Sequence, residues 1–348
     1  MNEFPPSGLR PLDHFRTMDL EAVWLVLSGT SILDWRRLDL ETQAQAEAFL
    51  RSQAFRPELE SDQERLGAIK ASAIAYLRRQ FNFPIPKPVA ALDVVDLLLL
   101  ASSQGHRQLC ACTILKAMHI IHHVEAREML FSLAMSNQDL FRLVEERVYR
   151  VVGHMLSAGL PITEFVGGRK RRDAIYTKLL SKSEAHSSAV YDKLRFRIVT
   201  RSRADIFPVL LYLCDNLFPF NYVVPGESIN TILPVRDYCA QHEHLSALLA
   251  RCHANVGNDL NPNDNQFSAL NYRIIHFVVD VPVRVPDEIL LQAPADLRAQ
   301  GPVGFGMCEF QLVDRETEET NENGDASHDA YKGRQREAVM KRLKLGSG

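Results

Sequence analysis

The chain has 348 residues, a length that favours about two domains. Hydrophobic residues make up 46% of it and charged residues 24%, the values of a soluble protein with a substantial core. Its formal net charge of −3 excludes an overall basic surface that binds nucleic acid by charge alone. Any binding of phosphate groups must therefore depend on local clusters of basic residues.

The cysteines and the apolar runs indicate a reduced, cytoplasmic protein with no membrane partner. Of the six cysteines, only Cys110 and Cys112 are close in sequence, and their spacing matches no zinc ribbon or knuckle. The first residues lack the basic start and apolar stretch of a signal peptide. The longest apolar run, 94–101, contains Asp96 and is too short to span a bilayer.

Residues 1–160 are predicted to form an all-α domain. Amphipathic stretches begin after Asp19, a plausible N-cap, and recur over 43–49, 64–81, 92–103, 107–127 and 139–158. The prolines that follow Asn82 end the third of these stretches. The sequence leaves the role of this domain open between a regulatory, an antitoxin-like and an oligomerisation module, and it leaves a homo-oligomer open.

Residues 161–348 are predicted to form an α+β domain with a central mixed sheet. β-type runs occur at 194–200, 272–281 and 307–313, and helical stretches separate them. The basic segment 167–172 is predicted to be a flexible loop leading into a helix at 172–184. The acidic segment 315–325 is predicted to be a solvated loop, and a basic helix at 330–344 closes the chain.

Two acidic residues of this half fit a magnesium site. Asp192 opens the first β-type run, and Glu309 lies in the last one with Gln311 on the same face. Magnesium prefers oxygen ligands and usually retains substrate phosphates. Basic residues precede Asp192 at Arg169, Lys170, Arg171, Arg172, Lys178 and Lys182. These features suit phosphoryl transfer, although a solvated basic face and two unrelated acids would give the same pattern.

Six elements follow one another in the order found in RelA/SpoT-type synthetases. Segment 171–178 (RRDAIYTK) resembles the helix R-x-x-S-I-x-x-K, and 191–199 (YDKLRFRIV) resembles the strand F-D-x-x-A-x-R-x-x. The helical stretch 203–219 resembles the family helix that follows this strand. Segment 271–279 (NYRIIHFVV) resembles G-Y-Q-S-x-H-x-x-V, 309–312 (EFQL) resembles E-I-Q-I, and 328–332 (HDAYK) resembles the closing helix H-W-x-Y-K.

This resemblance, which covers the C-terminal half alone, implies a pyrophosphokinase of the nucleotidyltransferase fold. Such an enzyme uses Mg²⁺ to transfer the terminal pyrophosphate of ATP to a nucleotide 3′-hydroxyl. The acceptor implied is GDP or GTP, as in the (p)ppGpp synthesis of the stringent response. The resemblance assigns catalysis and metal binding to Asp192 and Glu309, ATP binding to Arg169, Arg171, Lys178 and Arg197, and acceptor binding to Tyr272, His276 and Gln311.

The sequence departs from the family pattern mainly on the acceptor side. Ala174, Thr177, Asn271 and Val313 stand where the family has Ser, Lys, Gly and Arg. The guanosine-binding segment K-D-Y-I-x-x-P-K-x-N has no match, and an insertion around 221–270 stands in its place. These departures leave two alternatives: transfer to the tRNA 3′ end or another unusual acceptor, as in the toxin branch, and a catalytically inactive nucleotide-binding regulator.

Histidines outside the six motifs are interpreted as structural. His119, His122 and His123 lie on one predicted helix, and RelA/SpoT-type enzymes often carry a metal-dependent hydrolase domain before the synthetase. No His-Asp pair accompanies these residues, so we expect no hydrolase activity. His242, His244, Cys252 and His253 lack the spacing of a zinc site and are interpreted as polar helix residues.

Overall fold

The computed structural model describes residues 8–30, 33–181, 194–252, 256–257, 269, 271–323 and 328–344. Helices alone form the regular structure of its first part, apart from a short 3₁₀ turn. They are α1 (Thr17–Ser28), α2 (Gln43–Ser52), α3 (Glu60–Phe81), α4 (Lys87–Ala91), α5 (Val94–Ala101), α6 (His106–Ser132) and α7 (Asn137–Ser157). The helical character predicted for the N-terminal segment is thus confirmed.

Local sequence signals set several of these helix ends. The Thr42 hydroxyl accepts a hydrogen bond from the Gln45 amide at 3.3 Å, which caps α2. Ser136 caps α7 in the same way, and the Asp139 carboxylate accepts the Ser136 amide in return. Caps of this kind stabilise a helix by about 1 kcal/mol. At the other end of α3, Asn82 adopts the left-handed conformation just before the prolines.

A five-stranded mixed sheet follows, which confirms the predicted α+β class. Its strands are β1 (Ile162–Arg169), β2 (Leu194–Thr200), β3 (Ile229–Asn230), β4 (Ile275–Arg284) and β5 (Val303–Asp314). Their order in the sheet is β1-β2-β5-β4-β3. The β2–β5 pair is parallel. The other three pairs, β1–β2, β5–β4 and β4–β3, are antiparallel.

Helices lie between and after the strands of this half. They are α8 (Arg172–Ser181), α9 (Ile206–Asn216), α10 (Val235–Ala240), α11 (Glu243–Leu249), α12 (Asp287–Leu290), α13 (Ala295–Arg298), α14 (Arg315–Asn321) and α15 (His328–Arg342). α8 packs against α15, where Arg342 donates to the Leu180 carbonyl at 3.1 Å. None of the described helices has both the length and the apolar composition needed to cross a bilayer.

Two segments predicted to be loops are regular structure, and these predictions were wrong. Residues 167–169 belong to β1, where Gly167 faces Phe196 of β2 so closely that a Cβ atom would lie 2.7 Å from its ring. Residues 315–321 form α14, because Asp314 caps the helix by accepting hydrogen bonds from the amide and the hydroxyl of Thr317. The glycines of the first segment and the acidic residues of the second are typical of loops. The strand pairing and the helix cap that order these segments are not evident from such composition.

One face of the sheet is apolar and forms the centre of the core. Phe196, Phe310 and Phe277 lie side by side on three neighbouring strands, with ring centroids 5.5 and 5.7 Å apart. The main cluster of buried side chains extends from Phe15 to Val313 and includes both the helices and the sheet. The N-terminal helices therefore pack directly on the sheet, and the division into two domains at residue 160 stays a prediction.

The approach of α7 to β5 depends on Gly306. A Cβ atom at this position would collide with the Val144 side chain of α7. We predict that Gly306→Ala lowers the free energy of unfolding by about 1–3 kcal/mol, the usual cost of overpacking. Gly153→Ala is the matched control, because this α7 glycine has no neighbour within 4 Å of an added Cβ. We expect the control to raise stability by about 0.5–1 kcal/mol; equal denaturant midpoints for both variants would contradict the packing described.

Candidate functional site

The register of β2, β5 and β4 places polar residues in two neighbouring rows on one face of the sheet. In one row, His276 pairs with Gln311, which pairs in turn with Arg197. In the next row, Glu309 pairs with Arg195. Residues two apart along a strand point to the same face, so all five side chains share a face opposite to the phenylalanine row. We call this the polar face.

Glu309 lies at the centre of the polar face and is only 5% exposed. Its Oε1 accepts a hydrogen bond from Nε2 of Gln311 at 2.5 Å and lies 3.5 Å from Nε2 of His276. The Nδ1 of His276 is buried and has no hydrogen-bond partner in the described part of the chain. A carboxylate beside an imidazole can hold a cation or exchange a proton, and the unpaired ring nitrogen is suited to a further polar contact.

Arg197 forms an ion pair with Glu318 of α14. The Arg197 side chain is 25% exposed and the Glu318 side chain 14%, so the pair is partly withdrawn from solvent. Burial raises the pKa of Glu318, while the Arg197 charge acts in the opposite direction. The Nε of Arg197 is buried without a partner among the described residues, so this guanidinium retains a donor for another acceptor.

Tyr272 lies just before β4 and faces the same group of charges. Burial raises the pKa of its phenol, and four charged groups are close enough to act on it. Glu318 and Glu309 act in the same direction as burial, while Arg197 and Arg195 act against it. The side chain of Tyr272 thus belongs to the same electrostatic neighbourhood as the polar face.

α14 holds the segment that carries Tyr272. The Asn321 side chain accepts a hydrogen bond from the Arg273 amide at 3.0 Å and donates one to the Arg273 carbonyl at 2.7 Å. Asn321 is buried, so this two-point contact is shielded from water. One short helix therefore positions both the carboxylate that pairs with Arg197 and the backbone next to Tyr272.

The residues predicted from the sequence do not all come together. Arg197, His276, Glu309 and Gln311 lie on the polar face, and Tyr272 lies just before β4, where the charges of this face act on it. Their assigned roles stay predictions, as do those of the two basic residues of the ATP helix: Arg171 is exposed at the start of α8, and Lys178 is half-buried two turns further on. Asp192 lies outside the described residues.

Arg169 is not brought to the polar face. It pairs with Leu194, whose side chain shares the apolar face with Phe196. Its guanidinium donates to both carboxylate oxygens of Glu145 on α7, at 2.9 and 2.7 Å. This bidentate pair raises the pKa of Arg169 and occupies the donors that a phosphate would need.

Among the described residues, one carboxylate on the polar face is suited to bind a magnesium ion. No group of three or more His, Cys, Asp and Glu side chains in the described ranges could hold a metal by itself. Magnesium, however, is usually bound by one or two carboxylates together with substrate phosphates and water. Glu309 suits such a role, because Gln311 and His276 both contact its Oε1 rather than its Oε2.

Sequence reasoning missed two residues of this site. Arg195 is given no role by the sequence, although the parallel register places it beside Glu309. Glu318 was assigned to a solvated loop. The signal for α14 was present, since Asp314 is a typical N-cap residue, but the contact of Glu318 with Arg197 joins residues 121 positions apart.

Comparison with known proteins gives similarities at the level of structure only. No family model and no curated protein sequence matches the chain. It is similar to small alarmone synthetase 1 from Bacillus subtilis bound to its product pppGpp, at 18% identity over 59% of this chain and 88% of that chain, with a TM-score of 0.31. The chain is also similar to small alarmone synthetase 2 from the same organism, at 14% identity over 63% of this chain and 94% of that chain, with a TM-score of 0.30.

A GTP pyrophosphokinase family protein from Streptococcus pneumoniae is similar over 64% of this chain and 89% of that chain, at 14% identity and a TM-score of 0.29. TM-scores of this size do not establish a shared fold. The case for the site therefore rests on the residues of this chain.

The Arg197–Glu318 pair predicts how the polar face responds to anions. Glu318→Gln removes the carboxylate that competes for the guanidinium, so we expect inorganic pyrophosphate to bind about fivefold more tightly, the equivalent of about 1 kcal/mol for a partly exposed pair. Titration calorimetry on the full chain measures this change. Glu319→Gln on the same helix is the control, because Glu319 is 68% exposed and, among the described residues, its carboxylate pairs with Arg315 alone. Equal gains in both variants would show that net charge alone is responsible.

Proposed function

We propose that this chain is a magnesium-dependent pyrophosphokinase that transfers pyrophosphate from ATP to a nucleotide 3′-hydroxyl. The observation that carries the proposal is the convergence of Glu309, Arg195, Arg197 and His276 on one face of a mixed sheet, with Tyr272 just before β4 and close enough for these charges to act on it. Phosphoryl transfer requires positioned cations, a metal-binding carboxylate and an acceptor site more than it requires covalent chemistry by the protein. The polar face offers groups of each type within one neighbourhood.

The arginines supply the positive charge for the ATP phosphates. Arg195 and Arg197 occupy successive outward positions of β2, so both can contact one polyphosphate chain. Arg197 must exchange the Glu318 carboxylate for a phosphate oxygen when ATP binds. In the transfer, the acceptor oxygen forms a bond to the β-phosphorus, the bond from that phosphorus to the α-phosphate oxygen breaks, and AMP leaves.

Glu309 is proposed to act in metal binding and in deprotonation of the acceptor hydroxyl. When bound, magnesium would neutralise charge that develops on the phosphates. Asp192 is the second carboxylate proposed for this ion. Both ring nitrogens donate when His276 is doubly protonated, so Nε2 can orient Oε1 of Glu309 while Nδ1 donates to an acceptor phosphate.

The acceptor is proposed to be GDP or GTP, by the resemblance of 271–279 to the family segment that binds it. Tyr272 would stack on the base, because an aromatic ring next to a charged phosphate site suits a nucleotide. Ile229 of β3 pairs with His276, so the described start of the 221–270 insertion borders this side of the sheet. A different acceptor, including the tRNA 3′ end, remains the alternative within the enzyme class.

A second candidate is a catalytically inactive nucleotide-binding regulator. The observation that favours it is the Arg197–Glu318 ion pair, in which a carboxylate occupies the arginine needed for phosphate. The replacement of the family Ser and Arg by Ala174 and Val313 agrees with such a role. The presence of Glu309 at the centre of the polar face argues for catalysis.

Transfer from labelled ATP distinguishes the two functions. The full chain is incubated with Mg²⁺ and, separately, with GDP, GTP, ADP, ATP and tRNA, and release of AMP is measured. We predict transfer to one acceptor, with Glu309→Gln and Asp192→Asn each lowering the rate by at least about 100-fold, as expected for groups that act on the transition state. Glu319→Gln is the control with unchanged rate.

Two results would decide against the enzyme. Tight ATP binding with no AMP release on any acceptor favours the regulator. Transfer that persists at the wild-type rate in Glu309→Gln excludes the polar face as the catalytic site, whatever the acceptor.

A further inference from the structure

The segment 272–274 carries Tyr272 into the sheet, although β4 itself begins only at Ile275. The Tyr272 amide donates to the Ala269 carbonyl at 3.1 Å, and the Tyr272 carbonyl accepts from the Arg273 guanidinium at 3.3 Å. The polar backbone groups of residues 273 and 274 are bonded by two residues from other parts of the chain. One of these residues precedes β4 and the other ends α14, after β5.

Thr231 bonds both backbone groups of Ile274. Its amide donates to the Ile274 carbonyl at 2.9 Å, and its hydroxyl donates to the same carbonyl at 3.0 Å. The hydroxyl oxygen also accepts the Ile274 amide at 2.7 Å. Ile274 is buried, so these three hydrogen bonds are shielded from water.

Asn321 makes the equivalent contact with Arg273. Its side-chain oxygen accepts the Arg273 amide, and its side-chain nitrogen donates to the Arg273 carbonyl. Asn321 is only 3% exposed. The backbone donors and acceptors of residues 273 and 274 are therefore all paired, as they are for residues within a sheet.

Both supporting residues are themselves held in place. The side chain of Asn230, which is 1% exposed, accepts from the Leu233 amide at 3.1 Å and donates to the Leu233 carbonyl at 2.7 Å. These contacts fix the turn that contains Thr231. α14 is fixed at its start by the buried cap residue Asp314. Positioned groups of this kind need such supports to keep their geometry.

This arrangement fixes the direction in which the Tyr272 side chain leaves the backbone. With residues 272–274 paired, rotation about its two side-chain torsions is the main freedom left to the ring. The phenol lies within range of the charges of the polar face and of Glu318. A ring that is ordered before a ligand binds loses less freedom on binding than a ring on an unpaired loop.

We propose that Thr231 and Asn321 are positioning residues, which hold the Tyr272 ring ready to stack on the base of a nucleotide acceptor. The inference rests on the proposed function, in which this ring stacks on the acceptor base. Both residues act through the backbone of residues 273 and 274. Thr231 lies in the described start of the 221–270 insertion, so the insertion contributes to acceptor binding by ordering the Tyr272 segment.

Equilibrium binding to the full chain tests the proposal without requiring transfer. GDP and inorganic pyrophosphate are titrated separately by calorimetry. Thr231→Val removes the hydroxyl that bonds Ile274 and changes the side-chain volume little. We expect GDP to bind about tenfold more weakly, the equivalent of about 1.4 kcal/mol, because its base loses an ordered partner. Pyrophosphate has no base, so its affinity should change by less than about twofold.

Two matched controls accompany this variant. Thr231→Ser keeps the hydroxyl and should retain the wild-type affinity for GDP. Asn321→Ala should weaken GDP binding by about the same factor as Thr231→Val, whereas Asn323→Ala, at an exposed position just after α14, should not. Should Asn321→Ala fail to fold, the Thr231 variants decide alone.

A double variant shows whether Thr231 acts through Tyr272. Tyr272→Ala alone should weaken GDP binding by about tenfold or more, as expected for loss of stacking on a base. Adding Thr231→Val should then cause no further loss, because residues that act through one group are not additive. A merely structural role would instead weaken GDP and pyrophosphate together and add to the effect of Tyr272→Ala.

The outcomes separate this inference from the proposed function. Unchanged GDP affinity in Thr231→Val, equal losses for GDP and pyrophosphate, or additive losses with Tyr272→Ala overturn the positioning role. Absence of GDP binding to the wild-type chain overturns it together with the proposed acceptor. GDP binding that depends on Thr231 and Asn321, without release of AMP from ATP, supports the positioning role and contradicts the pyrophosphokinase alone.

Discussion

The parallel pairing of β2 with β5 is the constraint on which the site depends. It joins residues 195–200 to residues 309–314, segments more than a hundred positions apart, in one register. Because side chains alternate along both strands, this register sends phenylalanines to one face and Arg195, Arg197, Glu309 and Gln311 to the other. A slip by one residue would bury the charges and expose the aromatic row.

The two faces are therefore coupled. The apolar face is stabilised by the contacts of Phe196, Phe310 and Phe277 and by the close approach of α7 at Gly306. This packing fixes the register that assembles the polar face. Without this packing, ion pairs such as Arg197–Glu318 would have to hold the charged groups together. Partly exposed ion pairs contribute little to the stability of a fold. The aromatic core thus provides the positioning that the polar residues require.

Much of this arrangement could be predicted from the sequence, and the rest depends on distant contacts. The alternation of LRFRIVT and CEFQLV indicates strands, and the order of motifs relates Tyr272, His276 and Glu309 to one site. β1 was missed because its glycines and arginine look like a loop until Phe196 of β2 is present to pair with them. Glu318 was missed because nothing local to α14 shows that Arg197 lies opposite.

The central claim is that the polar face binds the ATP phosphates and a magnesium ion. A crystal structure of the full chain with Mg²⁺ and a non-hydrolysable ATP analogue tests it most directly. The account predicts phosphate oxygens within hydrogen-bond distance of Arg195 and Arg197, with Glu318 displaced, and a metal ion about 2.0–2.1 Å from a Glu309 oxygen. A nucleotide bound elsewhere, with the Arg197–Glu318 pair intact and no metal at Glu309, would contradict it.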